Sequence, residues 1–212
     1  MSECSLYLVS PPKIELPKFL NLLEEAFEAG GVKAFQLRLK EADDATIIES
    51  AQAISKICQK YEAAFIINDR PDLVAVCNAD GVHLGQDDMD AKEARKIIGK
   101  EKIIGVSCHA SRDMAFEACE KSADYVAFGA FFPTKSKPQE KIDKWGVPEI
   151  ELIEFWSNYT NVPCVAIGGM KPENCESLVK AGADFIGAIT AVWENPEGIS
   201  DAVGKFNKII KK

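Results

Sequence analysis

The sequence lacks the features that mark membrane, secreted and nucleic-acid-binding proteins. No stretch approaches the roughly 18 uninterrupted apolar residues of a transmembrane helix, and the start, Met1 to Ser5, has neither the basic nor the apolar region of a secretory signal. Basic residues are in deficit, with 25 Lys and Arg against 33 Asp and Glu and a net charge of −8. Such a surface repels nucleic acid and anionic lipid. We therefore expect a cytoplasmic protein with no nucleic-acid or membrane partner.

Disulfide and zinc-binding patterns are also missing. The seven cysteines are odd in number, show no C-x-x-C spacing and mostly lie within apolar runs, which is typical of free thiols in a reducing compartment. Only two histidines are present, and no spacing of Cys and His fits a zinc site. We expect buried free thiols and no zinc.

No proline- or serine-rich linker, low-complexity tract or abrupt change of composition divides the 212 residues. With 47% hydrophobic and 27% charged residues, a chain of this length buries about 70% of its unfolded surface. We therefore take residues 1–212 as a single domain.

Short apolar runs of strand length alternate with longer stretches that carry apolar residues at helical spacing, which is the pattern of βα units. The predicted strands are Ser5–Val9, Val32–Leu37, Ala63–Asn68, Asp80–Leu84, Lys102–Ser107, Asp124–Gly129, Val162–Gly168 and Asp184–Ile189. One helix is expected after each strand; the first runs from about Pro17 to Ala29, and the second begins at Asp43 and Asp44. The residues 130–147 are predicted to form a long irregular loop.

The dipeptide Ala-Asp opens three of the predicted strands, at Ala79, Ala123 and Ala183, which indicates a repeated structural junction. Buried parallel strands joined by right-handed helical crossovers give an α/β architecture, and eight such units can close into a (β/α)8 TIM barrel. The sequence predicts a single barrel of this kind, with its chemistry at the carboxyl ends of the strands.

Polar side chains gather at those predicted strand ends. In Gln36-x-Arg38-x-Lys40 the strand period of two puts an amide and two cations on one face, where they would either meet an anion or simply be solvated. Asp69 and Asp88 follow two neighbouring strands and could share a Mg²⁺ ion with phosphate oxygens. Asp87 competes with Asp88 for this role, and capping of the next helix is the alternative for either.

Two further segments are suited to phosphate. Thr134, Lys135, Ser136 and Lys137 combine hydroxyl and ammonium groups in one loop. Gly168 and Gly169 follow the seventh strand, where glycine lets backbone N–H groups approach an anion, although a tight turn also explains them.

The two histidines and the cysteine beside one of them have different expected roles. His83 lies within a strand and is interpreted as a hydrogen-bonded core residue, whereas His109 could be an acid–base group, a ligand contact or a structural residue. Strand alternation turns Cys108 away from the face of Ser107, which argues against a Cys–His nucleophilic pair.

Two anion sites in one barrel mouth suggest that two phosphorylated small molecules are joined with loss of pyrophosphate.

Six motifs in order carry a resemblance to a known family. They are Gln36-Leu-Arg-x-Lys40, Ile67-Asn-Asp-Arg70, Ala79-Asp-Gly-Val-His-Leu-Gly-Gln-x-Asp88, Gly105-x-Ser-x-His109, Phe132-Pro-Thr-x-Ser-Lys137 and Ala166-Ile-Gly-Gly169. The chain resembles the thiamine phosphate synthases over Leu6 to about Trp193. The resemblance implies a transferase that joins 4-amino-2-methyl-5-hydroxymethylpyrimidine diphosphate to 4-methyl-5-(2-hydroxyethyl)thiazole phosphate, with release of pyrophosphate.

The resemblance also implies a role for individual residues. Arg38 and Lys137 would stabilise the departing pyrophosphate, and Asp69 and Asp88 would bind Mg²⁺. The pyrimidine diphosphate would be held by Gln36, Arg38, Lys40, Asn68, Ser107 and Lys137. The thiazole phosphate would be held by Thr134, Lys135, Ser136, Gly169, Ile189 and Thr190. The small-molecule substrates are the expected partners, and homo-oligomer formation is left open.

The chain departs from the family pattern at several positions. Ser136 stands where threonine is usual, Thr190 where serine is usual and Met170 where isoleucine is common, and the residues 138–147 follow no family pattern. Two rival functions remain: a thiazole tautomerase of the same superfamily that uses His109, and a non-catalytic barrel that binds a phosphorylated ligand.

Overall fold

A computed structural model of the chain describes residues 4–134 and 139–211. Eight parallel strands pair in chain order, and the last pairs with the first to close a barrel. The strands are β1 Ser5–Val9, β2 Val32–Leu37, β3 Ala64–Asn68, β4 Gly81–Leu84, β5 Ile103–His109, β6 Tyr125–Phe128, β7 Cys164–Ile167 and β8 Phe185–Ala188. The predicted (β/α)8 fold is confirmed, and each strand begins and ends within two residues of its predicted bounds.

Helices surround the barrel. Within the described ranges they are α1 Leu16–Glu28, α2 Asp44–Lys60, α3 Ala91–Ile98, α4 Arg112–Glu120, α5 Gln139–Trp145, α6 Ile150–Tyr159, α7 Glu176–Lys180, α8 Thr190–Trp193 and α9 Ile199–Ile210. The Asp43 carboxylate accepts a hydrogen bond from the Thr46 N–H at 2.9 Å, which confirms the predicted start of the second helix. No helix among the described residues is both long and apolar enough to cross a membrane.

The prediction of one helix after each strand is wrong. Only a 3₁₀ turn, Pro71–Leu73, lies between β3 and β4, because residues 69–80 form the shortest connection between consecutive strands. Two helices follow β6 and two follow β8. The segment after β6 that is predicted to be irregular contains α5, so less of it is loop than expected.

Alternate strand residues divide between two cores. Outward side chains such as Phe35, Phe65 and Phe128 are fully buried against the helices. Inward side chains, among them Tyr7 and Tyr125, fill the barrel itself. Six of the seven cysteines are buried and all are free, as expected.

The three Ala-Asp dipeptides form one repeated junction at the amino ends of the strands. In each, the aspartate carboxylate accepts a hydrogen bond of 2.7 to 2.9 Å from a backbone N–H of the preceding strand, in the pairs Asp80 with Phe65, Asp124 with Ile104 and Asp184 with Cys164. These bonds satisfy backbone donors at the amino ends of the strands. The opposite end is left for the site.

Candidate active site

A cavity of about 740 Å³ opens at the carboxyl ends of the strands, within the range of roughly 300 to 1,000 Å³ found for small-molecule sites. All eight strands contribute to its lining. The polar half consists of Gln36, Arg38, Lys40, Asn68, Asp69, Ser107 and Asp88. The glycine half consists of Gly129, Ala130, Gly168, Gly169, Gly187, Ile189 and Thr190.

The end of β2 supplies the cations of the polar half. Phe35 and Leu37 are buried among the helices while Gln36 faces the barrel, as the strand period predicts. Beyond the strand, the Arg38 N–H donates to Ser10 Oγ at 2.8 Å, and this bond holds the backbone against β1. Arg38 is half-buried; burial lowers the pKa of its guanidinium, and the nearby Asp69 raises it. Lys40 is exposed at the rim.

Two carboxyl groups lie side by side at the ends of β3 and β4. Burial, a hydrogen bond between Asp69 and Asp88 and the charge of Asp88 raise the pKa of Asp69 to about 7, although Arg38 and a hydrogen bond from Asn68 oppose the shift. Asp88 Oδ2 also accepts from the Gly85 N–H at 2.7 Å.

The neighbouring acidic residues Asp87, Asp88 and Asp90 occupy different positions. Asp90 caps α3 by accepting from the Lys92 N–H at 2.9 Å, so Asp88 does not take that role. Asp87 is exposed and does not line the cavity.

The carboxyl pair has the chemistry of a site for a hard divalent cation. Two carboxylates held together share one proton in place of a cation, and Mg²⁺ is commonly bound by one or two carboxylates with substrate phosphates and water. No group of three or more His, Cys, Asp or Glu in residues 4–134 and 139–211 is arranged to hold a metal. Asp69 and Asp88 could therefore hold the ion only together with substrate or water.

Ser107 and His83 form part of a buried polar cluster beneath the polar half. His83 Nε2 lies 2.9 Å from Ser107 Oγ, and His83 Nδ1 lies 2.8 Å from the Tyr125 hydroxyl. Burial lowers the pKa of His83 to about 4, so the imidazole is neutral at pH 7. His83 is thus a hydrogen-bonded core residue, as interpreted from the sequence.

The glycine half is shaped by a tight turn after β7. Gly168 and Gly169 have φ of +103° and +64°, and a Cβ at Gly169 would lie 2.5 Å from the Pro133 carbonyl oxygen. The Asn174 side chain fixes the turn by donating to Gly169 O at 3.0 Å and accepting from the Lys171 N–H at 2.8 Å. The turn interpretation is therefore correct, and the same geometry leaves backbone facing the cavity.

The remaining predicted thiazole-side residues lie around this turn or outside the described chain. Thr134, Ile189 and Thr190 line the cavity, and Thr190 begins α8. Lys135, Ser136 and Lys137 fall outside the described residues.

His109 lies at the end of β5 with φ of +54°. Its ring stacks on Trp145 of α5, with the two centroids 5.1 Å apart and the planes 4° apart, and it borders the cavity. Cys108 is buried in the outer core, and burial raises the pKa of its thiol. Cys108 and His109 therefore do not form a nucleophilic pair, as alternation predicts.

Sequence reasoning missed two residues of the site, Tyr7 and Tyr125. Both line the cavity floor, and their hydroxyl groups lie 2.8 Å apart. The signal was available in the alternation, because Tyr7 is two residues from Val9 and Tyr125 two residues from Ala127, all on the inner face.

Comparison with protein families matches residues 6–192 to the model described as thiamine monophosphate synthase. A relative named thiamine-phosphate synthase from Rhodospirillum centenum is 44% identical over 212 residues, covering 100% of both chains. Another of the same name from Erythrobacter litoralis is 47% identical over 194 residues, covering 91% of this chain and 89% of its own.

Among solved structures, thiamine phosphate pyrophosphorylase from Pyrococcus furiosus is similar with a TM-score of 0.84 and 31% identity, covering 99% of this chain and 96% of its own. A geranylgeranylglyceryl phosphate synthase from Thermoplasma acidophilum has a TM-score of 0.73 at 17% identity, with 99% and 94% coverage. This second likeness concerns the barrel fold alone.

Proposed function

The chain belongs to the thiamine monophosphate synthase family, and from this premise we propose that it is a transferase that joins an aminopyrimidine diphosphate to a thiazole phosphate, giving thiamine phosphate and pyrophosphate. The observation that carries the proposal is the division of one cavity into two unlike halves. A carboxylate pair beside Arg38 suits a metal-bound diphosphate, whereas a glycine turn beside Thr134 and Thr190 suits a monophosphate.

The polar half would bind the pyrimidine diphosphate. Arg38 and Lys40 supply positive charge for the diphosphate, and Arg38 is the more buried of the two, so less of its charge is screened by water. Gln36, Asn68 and Ser107 lie within the strands and would orient the pyrimidine ring. Asp69 and Asp88 would hold Mg²⁺, which when bound neutralises negative charge on the diphosphate.

The reaction we propose is a dissociative substitution. The bond between the pyrimidine methylene carbon and the diphosphate oxygen breaks first, and its electron pair leaves with pyrophosphate. The electron-rich aminopyrimidine supports the transient cation, and the lone pair of the thiazole nitrogen then forms the new C–N bond. Arg38 stabilises the growing charge on the leaving group, a role that the family resemblance assigns to Lys137 as well.

The protein would contribute charge and position, and no covalent intermediate with it is needed. Cys108 faces away from the cavity, and His83 is held between Tyr125 and Ser107. The glycine half would hold the thiazole against the opposite face of the reacting carbon, because two bound reactants aligned in one cavity react far faster than in solution.

The test is an assay of pyrophosphate and thiamine phosphate with both substrates and Mg²⁺, with and without a chelator. We expect equal amounts of the two products, lost with chelator and regained with excess Mg²⁺. His109→Ala tests the tautomerase alternative. A tautomerase would isomerise the thiazole in a reaction that depends on His109, and it would release no pyrophosphate. Release of pyrophosphate without thiamine phosphate, or no release, would contradict the proposal.

A further inference from the structure

Six side chains form a continuous chain of hydrogen bonds across the interior of the barrel, and each of the strands β1 to β6 contributes one. In bonding order they are Asn68, Gln36, Tyr7, Tyr125, His83 and Ser107. Asn68, Gln36 and Ser107 are predicted ligands of the pyrimidine substrate. Tyr7, Tyr125 and His83 connect them beneath the cavity.

The first half of the chain has a defined direction, which is set by the side-chain amides of Asn68 and Gln36. The Asn68 side chain turns its amide oxygen, which accepts only, to Gln36. Gln36 Nε2 donates to that oxygen at 2.6 Å. The Gln36 oxygen then faces Tyr7, whose hydroxyl donates to it at 3.2 Å.

The same direction continues to Ser107. A hydroxyl has one hydrogen, and Tyr7 uses its own on Gln36, so the 2.8 Å contact between the two tyrosines requires Tyr125 to donate. Tyr125 must then accept from His83 Nδ1 at 2.8 Å. A buried, neutral imidazole carries only one ring hydrogen. Because that hydrogen is on Nδ1, Nε2 is an acceptor, and Ser107 Oγ–H donates to it at 2.9 Å. Ser107 thereby keeps only acceptor capacity toward the cavity.

We propose that Tyr7, Tyr125 and His83 are positioning residues that carry this hydrogen-bond direction from Asn68 to Ser107, so that Ser107 selects a substrate edge bearing an N–H donor. The inference rests on the proposed function, in which an aminopyrimidine occupies the polar half. An amino group donates to the Ser107 oxygen, whereas an oxo group in its place sets oxygen against oxygen and leaves both unpaired. Sites built on such pairing reject analogues that lack the donor.

The first test measures the tautomer of His83 in the free protein by ¹⁵N-detected NMR of the wild-type chain labelled at histidine, near neutral pH with chelator and without substrate. The chain has only two histidines, so His83→Gln assigns the signal. We expect a neutral ring protonated at Nδ1. A ring protonated at Nε2, or at both nitrogens, would overturn the proposal.

The second test uses Tyr7→Phe, with Tyr159→Phe as the matched control because Tyr159 is 75% exposed. Loss of the Tyr7 hydroxyl frees Tyr125 to donate to His83 Nδ1, so we expect the tautomer to switch to Nε2–H. We also expect kcat/KM for the aminopyrimidine diphosphate to fall by about tenfold, the cost of one hydrogen bond. The ratio of kcat/KM for this substrate to kcat/KM for the oxo analogue should become smaller. Tyr159→Phe should leave the tautomer and the kcat/KM values for both substrates unchanged.

A folded Tyr7→Phe protein that keeps the Nδ1–H tautomer would overturn the proposal. If that variant does not fold, the wild-type tautomer alone decides. Because the NMR measurement needs no substrate, the predicted tautomer in a protein that releases no pyrophosphate would refute the proposed function and leave the hydrogen-bond chain standing.

Discussion

Replacing Asp69 with asparagine should stabilise the metal-free protein at alkaline pH. In the folded chain, burial and the neighbouring Asp88 raise the pKa of Asp69 to about 7 from an ordinary value of 3.8. The folded state therefore holds a proton that the unfolded state has lost between about pH 4 and about pH 7, so stability falls as the pH rises through this interval. An asparagine side chain keeps the shape of the aspartate and carries no charge.

The size of the effect follows from the change in pKa. At about 1.36 kcal/mol for each pH unit, a change from 3.8 to about 7 gives an upper limit of about 4 kcal/mol. The carboxyl is only half-buried, and solvent screening reduces such energies, so we expect Asp69→Asn to gain about 2 kcal/mol near pH 8. The gain should shrink to less than about 1 kcal/mol near pH 4.5.

Urea unfolding followed by tryptophan fluorescence measures this difference, with chelator present at both pH values. Asp72→Asn is the matched control, because Asp72 pairs with Arg70, which lowers the pKa of its carboxyl, and its replacement should give no gain. Adding Mg²⁺ near pH 8 should stabilise the wild-type protein and not Asp69→Asn. If Asp69→Asn is no more stable than wild type near pH 8, or if its gain in stability does not depend on pH, Asp69 does not have the raised pKa that burial and the neighbouring Asp88 imply.

Three further substitutions test other parts of the site. Arg38→Gln should lower kcat/KM by about 100-fold or more in steady-state kinetics, the loss typical of a group that stabilises transition-state charge. The KM for thiazole phosphate should stay the same. A fall in kcat/KM of less than about fivefold would contradict the role of Arg38. Gly169 has φ of +64°, and the Cβ of an alanine there would lie 2.5 Å from the Pro133 carbonyl oxygen. Gly169→Ala should therefore raise the KM for thiazole phosphate by about tenfold or more. Calorimetry should show unchanged binding of the pyrimidine diphosphate. Gly105→Ala places a methyl group in the ring of Tyr125 and should cost about 1 to 3 kcal/mol in urea unfolding; an unchanged midpoint would argue against this packing.

The fold was largely predictable because its signals are local. Strands of a parallel barrel are buried on both faces, so runs such as Val32–Leu37 and Ser5–Val9 stand out from the sequence, and their observed bounds agree. The Ala-Asp junctions were also visible, since the aspartate serves the same backbone donor each time. The prediction of one helix after each strand failed at three connections: at Pro71–Leu73, where no α-helix forms, and at α5 and α8, where an additional helix is present.

The site was predictable at the strand ends and less so in the interior. Gln36 lies near the end of β2, Arg38 and Asp69 directly follow β2 and β3, and Asp88 lies in the loop after β4. These residues meet because parallel strands end on one side. The bond between Tyr7 and Tyr125 joins β1 to β6 across the closed barrel, and no spacing along the chain encodes that distance. It depends on the register and closure of all eight strands.

A crystal structure of the protein with Mg²⁺ and the pyrimidine diphosphate would show directly which half of the cavity binds the diphosphate. We predict one metal ion between Asp69 and Asp88 that contacts diphosphate oxygens, with Arg38 on the same group. A diphosphate bound instead at Gly168 and Gly169, with the two carboxylates free of metal and phosphate, would contradict the assignment of the two halves of the cavity.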